Sequence, residues 1–414
     1  MSMKYFFSDP MTISKFQSDP LGKYLDSYAA HLHERGYSWN TGRCKIRLIA
    51  RFSKWLEDHG VAAKDLTMLQ IQEYQNSNNR EGRSPQDDRV AIRQFMEFLH
   101  TKEILKGSFI AEIRLTASQH LAEVYAQYLR TERALSPGTI AQYKSRIEQF
   151  LNHSFGEGSI DLSTLRPAAI ATFVTMSAVK LSRKGANLVC SALRSFFRYA
   201  RYQGYIDADL AASVPSVANW ASGSIPRALP REQVLKVLAC CDQHTTVGLR
   251  NYAILLLLAR LGLRAGEIVS MQLDDIDWKA GCISVHGKGS NLAQLPMPPD
   301  VGEAIALYLR GGRPQSLCRA VFLTAQAPIA GFARPSAICI IVRNALSHAG
   351  INTKRNGAHQ FRHALAIELL RTGASLPEIA EVLRHGTLEC TAMYAKVDLA
   401  SLRSMGLPWP GGVK

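Results

Sequence analysis

The stretch GAHQFRHALAIELLRTGASLPEIAEVLRHGTLECTAMYAKV (residues 357–397) decides how the rest of the chain is read. His359 and Arg362 stand at i and i+3, so a helix beginning near them presents both side chains on one face. Apolar Leu365, Ile367, Leu369 and Leu370 continue that helix, and Gly373 is placed to end it. Pro377 opens a second helix through Ile379, Val382 and Leu383, since proline is tolerated in a first turn. That helix runs out at Arg384, His385 and Gly386. Tyr394 follows nine residues after His385, in a short segment of its own.

These residue types suit one kind of reaction. A phosphodiester attacked by a hydroxyl passes through a crowded, negatively charged phosphorane. It needs positive charge and hydrogen-bond donors on the non-bridging oxygens, a base for the nucleophile and an acid for the leaving oxygen. Arginine suits the oxygens because its planar fork stays charged and can hold two of them at once. Histidine donates a hydrogen bond or takes a proton near neutral pH. A tyrosine such as Tyr394 can act as a covalent nucleophile, storing the bond energy in a phosphotyrosyl ester without ATP or metal.

The order His-x-x-Arg, then Leu-x-His, then Tyr resembles the tyrosine recombinase (phage integrase) family. Upstream, LGLRAGEIVSMQLDDID (261–277) is similar to that family's first arginine box, which puts a second catalytic arginine at Arg264 and its acidic neighbour at Glu267. ISVHGKGSNLAQLPMP (283–298) is similar to its β-hairpin, with the catalytic lysine at Lys288 between two glycines at the tip. Four such boxes in order make a specific match, where any one alone is weak. The resemblance implies six catalytic residues: Arg264, Lys288, His359, Arg362, His385 and Tyr394. Glu267 is expected to hold Arg264 by an ion pair at i+3, and His363 to pack or to orient the Arg362 region. The sequence departs from the family at Arg384, where many relatives have glycine, and at Asn291 and Ala293, where relatives carry further basic residues.

Composition fits. The chain has 414 residues, 47% hydrophobic and 20% charged, enough for two or three domains. The longest apolar run, Tyr252 to Leu263, is shorter than a membrane span and is interrupted by Arg260, so it reads as a buried helix. No secretion signal is seen at the N-terminus. Eight scattered cysteines form no C-x-x-C pair, and a reduced cytoplasm is the expected setting, on the nucleoid. The formal charge is +15: residues 1–222 carry 28 basic and 21 acidic side chains (+7), the remainder 21 and 13 (+8). Basicity spread along the length points to a polyanionic partner.

Ahead of the catalytic boxes the chain reads as helical throughout, and partly repeated. Ser38 and Thr41 recur as Ser136 and Thr139, Ile49 and Phe52 as Ile147 and Phe150, DLT (65–67) as DLS (161–163), and AIRQFMEFL as ALRSFFRYA (192–200). Two related helical bundles are expected at 14–106 and 116–210. The Pro/Ser/Gly-rich segment 213–230 is a linker, and 231–407 a catalytic domain. The fold class is thus mainly α, with a small β-sheet in a mixed α+β catalytic domain. By the resemblance, the second bundle is the core-binding lobe that grips the duplex. Lys180, Arg183, Lys184, Arg194, Arg198 and Arg201 are its candidate phosphate contacts, with a solvated helix face as the alternative for each. The first bundle is an extra copy, either a DNA-contacting or a protein-contacting module.

His359, His363 and His385 raise the question of zinc, but the zincin pattern needs Glu after its first histidine and Gln360 stands there. No metal and no cofactor are expected. The partner is double-stranded DNA, and the resemblance implies a homotetramer on two duplexes, in some systems with sister recombinases, exchanging strands through a Holliday junction. Two rivals are type IB topoisomerase-like relaxation by the same chemistry and a non-catalytic DNA-binding accessory protein.

Overall fold

The computed structural model describes residues 3–61, 66, 68–77, 85–103, 116–156, 158–217, 228–287, 292–353, 357–385, 387, 389–392 and 394. They divide into two compact units, one of residues 1–109 with 225–414 and one of residues 110–224.

The first unit begins with α1 (Met3–Phe6), α2 (Pro10–Gln17), α3 (Gly22–Glu34), α4 (Trp39–Asp58), α5 (Met68–Ser77) and α6 (Pro85–Thr101). Ser38 caps α4, its Oγ accepting the Thr41 amide at 3.3 Å, which satisfies one donor the helix start leaves unpaired. Ile46, Ile49, Phe52 and Leu56 follow at helical spacing and are fully buried. Ile92, Phe95 and Leu99 of α6 face them across the core, with Tyr28 of α3 edge-on to Phe95 at 4.8 Å.

The other unit contains α7 (Ala117–Thr131), α8 (Pro137–Phe155), α9 (Pro167–Lys180) and α10 (Arg183–Tyr202). It repeats the plan residue for residue at several points. Ser136 caps α8 through the Thr139 amide at 3.4 Å, and Ile147 and Phe150 are buried as their counterparts are. Leu193, Phe196 and Phe197 of α10 fill the places of Ile92, Phe95 and Met96, and Tyr125 stands edge-on to Phe196 at 5.3 Å. Asp161 of the DLS segment caps a short 3-10 turn (Leu162–Thr164); of DLT only Leu66, which is buried, lies among the described residues.

The remainder of the first unit comprises α11 (Arg231–Ala239), α12 (Thr246–Arg260), α13 (Ala265–Ser270), strands β1 (Ile276–Asp277), β2 (Cys282–His286) and β3 (Leu292–Pro296), then α14 (Pro299–Leu307), α15 (Ser336–His348), α16 (His359–Arg371), α17 (Leu376–Leu383) and α18 (Glu389–Ala392). Helix α12 is the axis: Ala253 to Leu258 are buried in succession, which accounts for its apolar run without a membrane. Among the described residues no helix is long and apolar enough to cross a bilayer. The strands form an antiparallel sheet in the order β1-β2-β3, with Ile283 opposite Leu295. The first bundle meets this body at a loop. The Ile329 amide donates to the Arg35 carbonyl at 2.9 Å, Gly36 lies against the Ile329 side chain, and Ala327 packs on the bundle core.

Candidate active site

Helices α16 and α17 pack against each other beneath α12 and α13, and their meeting point gathers side chains far apart in sequence. Gly262, in the turn after α12, makes the approach possible. It adopts φ +57°, and a Cβ there would lie 2.8 Å from Leu383 Cδ2 and 3.0 Å from Leu365 Cδ2. Only glycine tolerates both that backbone and that closeness. Its carbonyl accepts a hydrogen bond from Arg362 Nη1 at 2.7 Å, while Arg362 Nη2 donates to the Leu383 carbonyl. Arg362 is 3% exposed. Burial, then the nearby Arg264 and Arg384, bring its pKa down to about 10, which leaves it charged at neutral pH.

Arg264 leads into α13. Its Nη1 donates to Glu267 Oε1 at 2.7 Å and its Nη2 to the Arg384 carbonyl at 3.0 Å. Glu267 Oε2 accepts the Arg264 amide at 2.8 Å and Arg384 Nη2 at 3.0 Å. Burial alone would raise the Glu267 pKa, but its hydrogen bonds to Arg264 and the charges of Arg384 and Arg264 outweigh it and hold the carboxyl below its usual range. Two guanidinium groups on one carboxylate, with that of Arg362 nearby, make this corner cationic, the field an anionic oxygen would meet.

Two imidazoles stand on α16 and a third follows α17. His359 opens α16, exposed, with its ring 6.0 Å from that of His363. His363 Nδ1 is 2.8 Å from Tyr394 Oη. Tyr394 is buried among Ala366, Ile367, Ile379 and Leu383, at 1% exposure. The His385 ring lies parallel to the Tyr394 ring at 6.3 Å, and its Nδ1 is 2.6 Å from Thr391 Oγ1. Burial, then Arg362, Arg264, His363 and Arg384, lower the His385 pKa to about 4, so its ring is neutral at pH 7. A Thr391 hydroxyl donating to Nδ1 would put the ring proton on Nε2.

Of the residues singled out from the sequence, Arg264, Glu267, His359, Arg362, His363, His385 and Tyr394 thus converge. Lys288 lies outside the described residues, as does the chain beyond Tyr394. Three contributors had weaker sequence signals. Gly262 stood out only as part of the arginine box, Arg384 only as a departure from the family's glycine before His385, and Thr391 carried no signal.

The basic residues of the second bundle take separate roles. Lys180, Arg183 and Lys184 are exposed where α9 ends and α10 begins. Arg194, Arg198 and Arg201 recur along one face of α10 and line a cleft of about 710 Å³ with Asp209 and Ser216. Arg194 there donates to the carbonyls of Val214 and Pro215, each at 3.1 Å, and to Ser216 Oγ at 3.0 Å. Arg201 lies 3.9 Å from Asp209. Arg198 is exposed.

Residues 227–400 match the model of the phage integrase family, and residues 122–204 that of the phage integrase N-terminal SAM-like domain. The chain is 44% identical over 410 residues to a Sinorhizobium fredii protein named "Putative integrase/recombinase y4rA", covering 99% of each. Among solved structures it is similar to the XerH site-specific recombinase bound to palindromic difH substrate, in a post-cleavage complex. The TM-score is 0.56 at 20% identity, over 70% of this chain and 83% of that one. It is also similar to a lambda integrase tetramer bound to a Holliday junction, with a TM-score of 0.51 at 17% identity over 72% and 88% of the two chains.

Proposed function

Because the chain belongs to the phage integrase family of tyrosine recombinases, we propose that Tyr394 is the nucleophile of a site-specific recombinase and that the groups gathered around it carry out DNA cleavage and rejoining. Tyr394 Oη attacks a DNA phosphorus, forming a 3′-phosphotyrosyl bond as the bond to the 5′ oxygen breaks. Its proton passes to the imidazole pair, where His363 Nδ1 already meets the hydroxyl and His359 stands beside it. Arg264, Arg362 and the Nε2–H of His385 stabilise the phosphorane oxygens. Lys288 protonates the leaving 5′ oxygen, and reversal of these steps with the other duplex's 5′-OH rejoins the strand.

The observation that carries this reading is the convergence of two arginines, two histidines and a tyrosine from residues 264 to 394 on one point. Similarity along nearly the whole length of an integrase/recombinase favours strand exchange over simple relaxation. Double-stranded DNA is the substrate, and a tetramer on two sites is the working assembly, as in the lambda integrase complex. In this reading 116–210 is the core-binding domain, 213–230 the linker and 231–407 the catalytic domain, while 14–106 is a second bundle of the core-binding type. The matched helix caps and buried aromatic pairs of the two bundles support that last assignment.

Tyr394→Phe tests the chemistry. It keeps the buried ring and removes the nucleophile. The variant should bind a half-site as the parent does yet form no denaturant-resistant adduct on a nicked suicide substrate. An adduct at parental yield would show that another residue attacks.

A further inference from the structure

Arg384 occupies a position whose backbone favours glycine. It closes α17 in the left-handed region, φ 54° and ψ 51°, where a Cβ is penalised. Its side chain is nevertheless well engaged, at 13% exposure. Nη1 donates to the Val382 carbonyl at 3.1 Å, across the negative end of the helix, and Nη2 reaches Glu267 Oε2 at 3.0 Å, 117 residues away in sequence. The carbonyl of the same residue accepts from Arg264 Nη2 at 3.0 Å. The contacts close a ring: Arg384 holds Glu267, Glu267 holds Arg264, and Arg264 returns to the Arg384 backbone. Leu383 and His385, its chain neighbours, contribute the Arg362 anchor and the imidazole.

We propose that Arg384 is a positioning residue for strand cleavage, acting through Glu267 to fix the orientation of the Arg264 guanidinium. A carboxylate shared between two arginines has its oxygens pinned from both sides. With only Arg264 as partner, Glu267 could follow that side chain's movement instead of restraining it, and the donors left for a phosphate would be less well aimed. Both Nη atoms of Arg384 are turned inward, toward Glu267 and the end of α17. The proposal rests on the recombinase reading above.

The test uses full-length protein and a suicide half-site under single-turnover conditions. Arg384→Gly removes the guanidinium while relieving the left-handed backbone, so melting temperature and half-site affinity should hold. The cleavage rate should fall by about 10- to 100-fold, by analogy with the loss of groups that orient metal-binding side chains. Arg384→Asn, also tolerant of this backbone, should show the same loss, and Arg384→Lys should recover part of the rate. Because Arg384 acts through Glu267, adding Arg384→Gly to Glu267→Gln should slow cleavage by much less than the product of the single effects. Parental rates in both the Gly and Asn variants, or single effects that multiply, would overturn the proposal. So would a loss of melting temperature or DNA affinity that accounts for the slower cleavage. The parent and Tyr394→Phe run alongside separate the two levels: no adduct in the parent defeats the recombinase reading itself, whereas a Tyr394-dependent adduct with unaffected Arg384 variants defeats only the positioning role.

Discussion

Gly262→Ala places one methyl group at the tightest point of the site, and its effect can be worked from the geometry. The backbone stands at φ +57°, so a Cβ incurs the left-handed penalty of about 1–2 kcal/mol. The same Cβ would sit 2.8 Å from Leu383 Cδ2 and 3.0 Å from Leu365 Cδ2. Both must give way inside a packed cluster, and overpacking of this kind adds about 1–3 kcal/mol. The total is roughly 2–5 kcal/mol, or on the order of 5–15 °C in melting temperature for a body of this size. Gly350 supplies the control. It has φ +67° but nothing within 4 Å of an added Cβ, so Gly350→Ala should show the backbone part alone. The damage at Gly262 also reaches the chemistry, because its carbonyl anchors Arg362 at 2.7 Å. Thermal melts of both variants, paired with single-turnover cleavage below their melting temperatures, give the comparison. If Gly262→Ala melts no lower than Gly350→Ala and cleaves at the parental rate, the close packing of α16 and α17 on the turn after α12 is not what holds the site.

Two other outcomes follow from charge. The folded His385 pKa of about 4 lies below the unfolded value near 6.5, so between those limits the unfolded chain binds a proton that the folded chain does not. Stability should therefore fall as pH drops from about 6.5 toward 4 in DNA-free protein; His385→Asn should show a flatter decline over that window, and parallel melting curves would contradict the assignment. For the first bundle, read as a further DNA contact, each phosphate it neutralises steepens the dependence of log affinity on log salt by about 0.9. A chain starting near Leu115 should match the parent's salt slope on a core-length duplex and show a shallower one on longer DNA; equal slopes on both would leave the bundle a protein-contacting role.

Much of this was legible from local pattern. The i, i+3 and i, i+4 spacing of His359, Arg362 and His363 places them along one helix because a helix has a fixed pitch. The repeat of Ser38 and Thr41 as Ser136 and Thr139 announced two helices capped alike, since capping depends on residues three apart. The hairpin was likewise expected from the two short stretches flanking the Gly-Lys-Gly turn, while its register, Ile283 opposite Leu295, came from the structure. What local pattern could not decide was partnership across distance. Glu267 meets Arg384 and Arg362 meets Gly262 over 117 and 100 residues, contacts selected by how α12, α16 and α17 pack and by no nearby spacing. Only packing showed that Arg194, one of six similar basic residues, spends donors on Val214, Pro215 and Ser216. Packing also revealed that Tyr394 rests buried with its hydroxyl on His363. The sequence by itself determined which groups the chemistry has available; the tertiary structure decided which of them touch, because a hydrogen bond or ion pair is set by separation in space, and helix packing brings that separation to about 3 Å with no trace in the intervening residues.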